Sequence, residues 1–215
     1  MNPASIQRLR DLQAHNQHTA EQVAANRQRF AALAGRHQAG TAPVAVTGFN
    51  LFQTPEPIAQ RMAAIAWDHL AAVDSPLILE PSAGLGRITK AIRDRITTAR
   101  IHAIEIEAEL VAALRKSARD GDRIQDADFL ELDPSQTPQF DAVVMNPPFK
   151  NGLDITHITH ARKFLKPGGI LVSLCYDGSR QNAKLRPLCT TWEQLPAGSF
   201  RSEGTGASVV LITIK

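Results

Sequence analysis

Between residues 77 and 176, short apolar runs alternate with stretches of helical pattern in an order that few folds can satisfy. Leu77-Ile78-Leu79-Glu80 precedes a helix from about Arg87, and Ile101 to Glu105 precedes a helix from about Glu107. Two further runs, Ile124 to Phe129 and Asp141 to Met145, are followed by a helix over roughly Asp154 to Leu165. After Pro167-Gly168-Gly169 comes another strand, Ile170 to Tyr176. Strands that alternate with helices need crossover connections, which build a mostly parallel sheet covered on both faces. The β-branched run Val209 to Ile214 reads as a last strand, approached through the turn-rich segment Phe200 to Gly206. The expected body is a doubly wound α/β fold.

At 215 residues, 43% hydrophobic and 21% charged, the chain is sized for one globular domain. Pro3 to Pro43 is rich in Ala, Gln and Arg, so one or two helices are expected there. Their apolar positions (Ile6, Leu9, Leu12, Val23, Phe30, Leu33) are too sparse to bury much, which suits an arm that packs on the body or on a partner. Gly40-Thr41-Ala42-Pro43 reads as the joint, so the expected division is a helical extension over 1–43 and a main domain over 44–215. No apolar run approaches the roughly 18 residues of a membrane-spanning helix, and Met1 to Asp11 lacks the pattern of a secretory signal. A soluble cytoplasmic protein is expected. Cys175 and Cys189 are the only cysteines, and with no close pairing they are expected to be packing thiols rather than ligands of a structural metal.

The net charge of +3 is unevenly spread. Met1 to Pro43 carries five arginines against two acids, and Glu105 to Asp141 carries ten acids against four bases. From Lys150 to Arg186 the balance reverses, with seven bases against two acids. Such a run marks either a solvated helix face or a surface for an anionic partner.

In open α/β sheets, ligands bind beyond the carboxyl ends of the strands. Four strand ends carry informative residues. Glu80-Pro81-Ser82-Ala83-Gly84-Leu85-Gly86-Arg87 lets the backbone turn tightly and approach a ligand, although a plain strand-to-helix turn has the same look. Glu105, about twenty residues later, stands where an acid can accept hydrogen bonds from a ribose diol. Asp126-Ala127-Asp128-Phe129 offers a carboxylate beside an aromatic ring, suited to an adenine amino group and its ring. The fourth end is Asn146-Pro147-Pro148-Phe149. Asn supplies an acceptor, Pro147 keeps a carbonyl without an N–H, the paired prolines stiffen the turn and Phe149 presents a flat ring. Such a turn can hold a planar amine and point its lone pair at an electrophile.

These motifs and their order resemble the class I S-adenosylmethionine-dependent methyltransferases, in particular those that act on adenine N6, over roughly Phe49 to Lys215. The resemblance implies a Rossmann-like, seven-stranded sheet whose last strand runs antiparallel, and S-adenosyl-L-methionine as cofactor. Glu80, Ser82, Ala83, Gly84 and Gly86 look like the cofactor loop, and Glu105 with Ile106 like the ribose-binding position. Asp128 with Phe129 looks like the adenine contact, and Asn146 to Phe149 like the catalytic tetrapeptide. Phe52-Gln53-Thr54-Pro55 looks like the segment that closes over the methionine part, with Thr54 able to cap a helix and Pro55 in its first turn.

The mechanism implied is direct transfer, in which Asn146 and the Pro147 carbonyl bind an NH₂ group and Phe149 stacks its ring. No metal is needed. DNA is the first acceptor considered, with Lys150, Arg180, Lys184 and Arg186 as phosphate contacts around a base flipped from the duplex. Only 66 residues follow Phe149, which leaves no room for a separate recognition domain. Target choice then falls to relaxed specificity, to the basic arm, or to a partner subunit or second copy bound through it. The same turn also suits RNA adenine or a protein glutamine amide, and a cofactor-binding interaction subunit without catalysis is the reading of a different class. Trp192 to Gly206 reads equally as a loop over the substrate or as a hairpin approach to the last strand. His157 and His160 are expected on the surface, and Trp67 is expected to pack.

Overall fold

The computed structural model describes residues 53–215. The helical arm, the boundary between residues 43 and 44, and Phe52 lie outside the described residues. The elements in chain order are α1 (Glu56–Leu70), β1 (Leu77–Pro81), α2 (Arg87–Arg95), β2 (Arg100–Glu105), α3 (Ala108–Ser117) and β3 (Arg123–Asp126). They continue with β4 (Phe140–Met145), α4 (Leu153–Ala161), β5 (Leu165–Tyr176), α5 (Ser179–Lys184), β6 (Thr191–Gln194) and β7 (Val209–Ile214). The strands form one sheet in the order β3-β2-β1-β4-β5-β7-β6. β1 to β5 pair in parallel, whereas β7 runs antiparallel to both β5 and β6. This is the doubly wound, mostly parallel seven-stranded sheet expected from the alternation and the resemblance.

Unbroken apolar runs suit strands buried on both faces. Alternation along β1 and β4 sends Ile78, Ala142 and Val144 to one face, where they pack with Ile58, Met62 and Leu70 of α1 and Ile88 and Ile92 of α2. Leu79, Val143 and Met145 go to the other face, against Ile158 of α4 and Phe164. Sheet order reverses direction at β1, flanked by β2 and β4, and there the strands open the crevice in which ligands of such folds bind.

Several boundaries differ from the sequence expectation. The helix expected to reach Leu165 is α-helical to Ala161 and finishes as a 3₁₀ turn over Arg162–Phe164; Leu165 then opens β5 by pairing with Phe140, and a register shift in the β4–β5 pairing absorbs the Pro-Gly-Gly stretch. β3 ends at Asp126, and Phe129 starts a short 3₁₀ turn. Thr191–Gln194 forms an edge strand paired with β7, so this part of the Trp192 to Gly206 segment is the hairpin approach. Thr54 does not cap α1; the cap position is Pro55, without a side-chain bond, because the Thr54 hydroxyl is engaged elsewhere. His157 is buried rather than on the surface, and Trp67, off the apolar stripe of α1, is 37% exposed. Cys175 is buried and Cys189 half-buried; burial pushes both thiols up, Cys189 to about 11, as packing thiols. No helix among the described residues is long and apolar enough to cross a membrane.

Candidate active site

The glycine turn leaves β1 and enters α2 through three positive-φ residues, Ser82 (63°), Gly84 (57°) and Gly86 (74°). Glycine adopts this region without strain, and without a β-carbon it lets other groups approach closely. Gly86 uses both properties, because a β-carbon there would stand 2.8 Å from the Leu114 side chain. The turn is pinned from β2: Ala83 N–H donates to the Ile104 carbonyl at 3.0 Å, and Gly84 N–H donates to Glu105 Oε2 at 2.7 Å. Glu105 Oε1 accepts from the N–H groups of Ile106 (2.9 Å) and Glu107 (3.0 Å). A carboxylate has about four acceptor sites, so with three in use Glu105 keeps capacity for a hydroxyl. Ile106, beside it, is 60% exposed and offers an apolar face.

Glu80 is fully buried beneath the turn and accepts from Thr89 Oγ1 of α2. Burial pushes its carboxyl up to about 8, against the opposing hydrogen bond of Thr89 and charge of Arg93. Its side chain therefore braces the turn from below.

Gln53 lies over the turn on the other side. Its Oε1 accepts from Leu85 N–H at 3.4 Å, which sets the amide with its nitrogen away from that donor. The buried Nε2 has no hydrogen-bond partner among the described residues, and Gln53 as a whole is 7% exposed. An unsatisfied buried donor costs roughly 1–3 kcal/mol, so an acceptor supplied by a ligand belongs at this position. Glycines that leave room at the backbone, an acid with spare acceptor capacity and an orphaned donor together fit the cofactor that the resemblance implies. Sequence reasoning gives Gln53 no role of its own, although it stands between Phe52 and Thr54.

Asp128 Oδ1 accepts from Leu130 N–H at 2.9 Å and caps the 3₁₀ turn. The Phe129 ring corrects its expected role. It is 3% exposed and packs among His157, His160 and Phe164, with centroids 5.0–5.8 Å away, so it does not turn a face to a ligand. The aromatic periphery of α4 claims the ring, and burial lowers His157 to about 4.

At the end of β4, Asn146 Nδ2 donates to Thr54 Oγ1 at 3.1 Å, which joins the tetrapeptide to the closing segment. Pro147 is buried, while Pro148 and Phe149 are half-buried, with Phe149 packed against the α1 side of the core. After the turn, Asp154 is wholly buried and accepts from Ile155 N–H, from Tyr176 N–H at the end of β5, and from Gln181 Nε2 of α5. It bolts together the elements that follow the tetrapeptide. Sequence reasoning misses this carboxylate because nothing local marks it.

Of the four expected phosphate contacts, Lys150 follows the tetrapeptide directly, and the Arg180 guanidinium stands about where a β-carbon on Gly152 would meet it, at 3.5 Å. Lys184 is exposed at the end of α5. Arg186 is committed elsewhere, to Asn182 Oδ1 at 3.2 Å and to the Trp192 ring of edge strand β6 at 5.7 Å.

A family model described as the methyltransferase small domain matches residues 63–197. The release factor glutamine methyltransferase of Streptomyces coelicolor is 26% identical in an alignment 149 positions long that covers 55% of this chain and 53% of that protein. The chain thus spans about half the length of the curated relative it matches. Among solved structures, the methyltransferase subunit of a type I restriction-modification system from Streptococcus thermophilus superposes with a TM-score of 0.66 at 20% identity, over 80% of this chain and 46% of that one. TrmN from Thermus thermophilus superposes with a TM-score of 0.59 at 21% identity, over 74% and 48%. At these identities the structures share the fold.

Proposed function

We propose that this chain, which belongs to the methyltransferase small domain family, transfers the methyl group of S-adenosylmethionine to an exocyclic amino nitrogen, with adenine N6 in DNA as the acceptor. The observation that carries this reading is the Asn146 amide at the end of β4, one strand from the glycine turn and bonded to Thr54 of the closing segment. Gly84, Gly86, Gln53, Thr54, Pro55, Glu105, Ile106 and Asp128 would hold the cofactor, which supplies an electrophilic methyl on its sulfonium sulfur.

The chain's own groups do the rest. With its nitrogen given to Thr54, Asn146 brings its amide oxygen to the acceptor, and the Pro147 carbonyl takes the second N–H. Two acceptors fix the plane of the amine and turn its lone pair outward, which is an orientation effect rather than general base catalysis. The exposed part of Phe149 covers the base, and Pro147 cannot compete for the acceptors because it lacks an N–H.

DNA is favoured by Lys150 and Arg180 beside the tetrapeptide, with Lys184 further along α5, because a flipped base demands phosphate contacts around it. The two cysteines, both present as thiols, suit the reducing cytoplasm in which we place the reaction. A protein glutamine amide is the second reading, favoured by the Streptomyces coelicolor relative, since it presents the same planar NH₂ beside a carbonyl.

The test is transfer of labelled methyl to unmethylated duplex DNA, single-stranded DNA, RNA and protein extract, by the wild type and by Asn146→Ala. Label on DNA adenine that disappears with Asn146→Ala is the expected result. Label confined to RNA or to protein glutamine would replace the acceptor, and cofactor binding with no transfer to any of them would replace catalysis by an interaction role.

A further inference from the structure

Four residues from four separate stretches of sequence form one hydrogen-bonded line into the site. Arg87 Nη1 donates to Glu203 Oε1 at 2.9 Å and to the Thr54 carbonyl at 3.2 Å, and the Thr54 hydroxyl accepts from Asn146 Nδ2 at 3.1 Å. Glu203 ends the 3₁₀ turn Arg201–Glu203 in the β6–β7 connection. Because β6 runs parallel to β5, that connection emerges at the same edge of the sheet as the glycine turn and the tetrapeptide. Arg87 is the first residue of α2, directly after the glycine turn.

The Glu203 side chain is only 8% exposed and that of Arg87 31% exposed. This pair is more desolvated than an ordinary surface ion pair, and its charge-assisted bond holds the guanidinium in place. The further bond from Arg87, to a backbone carbonyl of the closing segment, is what a surface pair lacks. The consequence falls on an amide whose orientation decides its chemistry. With nitrogen toward Thr54, Asn146 presents an oxygen to an incoming amine; reversed, it would present donors to a donor.

We propose that Arg87 is a positioning residue that sets the Asn146 amide through Thr54, and that Glu203 of the β6–β7 connection steers it. The inference rests on the reading of Asn146 as the amine-binding group. It also makes the β6–β7 connection a part of the site, acting on Asn146 by way of Arg87 and Thr54.

The experiment reads the Asn146 side-chain NH₂ resonances by ¹H–¹⁵N NMR of the full chain, assigned by their loss in Asn146→Asp. Arg87→Met is expected to move them in the direction set by Thr54→Val, and Glu203→Gln to move them the same way by less. The double exchange Arg87→Glu with Glu203→Arg restores the ion pair, but a carboxylate cannot donate to the Thr54 carbonyl, so the resonances stay displaced. On the acceptor that the labelling assay identifies, kcat should fall by up to about a hundredfold in Arg87→Met, the scale on which misplacement of a reacting group acts, with a smaller change in affinity for S-adenosylhomocysteine. Resonances that stay in place in Arg87→Met, or return in the double exchange, overturn the proposal. Should Arg87→Met fail to fold, Glu203→Gln and the double exchange carry the same comparison. The amide signal needs no methyl transfer, so an inactive wild type would count against the proposed function alone.

Discussion

The amide of Gln53 lies directly over Gly84, so closely that a β-carbon on the glycine would stand 3.2 Å from Gln53 Nε2 and 3.4 Å from its Oε1. One residue provides the space and the other an unsatisfied donor pointing into it. Gln53→Met keeps the volume and removes the donor. By titration calorimetry we expect it to weaken S-adenosylhomocysteine binding about tenfold, the worth of one hydrogen bond to a charged acceptor. Binding of 5′-methylthioadenosine, which lacks the amino-acid tail, should be unchanged. Equal losses for both ligands would assign Gln53 to packing.

Buried Glu80 makes stability depend on pH in a defined direction. Its carboxyl ionises near 8 in the fold and at its ordinary 4.5 in the unfolded chain. Between these values the folded state holds a proton that the unfolded state has lost, so this group's contribution is fully present below 4.5 and declines as pH rises towards 8. The slope approaches about 1.4 kcal/mol per pH unit for one proton. Glu80→Gln cannot ionise, and urea melts from about pH 5 to about pH 8.5, spanning the titration, should show a shallower decline than in the wild type. Parallel pH profiles would show that Glu80 is charged in the fold.

Asp154 satisfies three donors while itself wholly buried. Asp154→Ala leaves the Tyr176 N–H and the Gln181 amide without an acceptor, so a loss of about 2–4 kcal/mol is expected in chemical denaturation. Asp154→Asn, which keeps one acceptor oxygen, should lose less. Because asparagine keeps the volume of aspartate, an equal loss in the two would place the cost in the carboxylate's charge and second oxygen rather than in the one acceptor that asparagine retains.

The cations around the tetrapeptide differ in how they are held, and so should their variants. Removing one cation that neutralises a phosphate of duplex DNA lowers the salt slope of binding by about 0.9. Lys150→Ala and Arg180→Ala should each show that change in binding measured from 50 to 300 mM salt (roughly the range over which counterion release is read). Arg186→Ala should leave the slope unchanged, because its guanidinium is held by Asn182 and Trp192. Slopes that do not move for Lys150 and Arg180 would remove DNA from this surface.

The chain's own order of residues determined the sheet, the glycine turn and the tetrapeptide. Apolar runs, β-branched clusters and turn residues act over a few neighbours, and the strand-helix alternation from Leu77 to Tyr176 leaves little topological choice. β6 escaped that reading because Thr191-Trp192-Glu193-Gln194 is a short edge strand with one large apolar side chain, and its pairing with β7 supplies what local pattern does not. The tertiary structure alone decided which groups meet. Thr54 had the look of a helix cap, yet its hydroxyl serves Asn146, 92 residues away; Arg87 finds Glu203 across 116 residues. Phe129 had the look of a ligand-facing ring, yet the histidines of α4 and Phe164 enclose it. Periodicity is set by the backbone and can be read locally. A side chain's partner is set by the order in which strands assemble, and that order brings together residues with no neighbourhood in sequence.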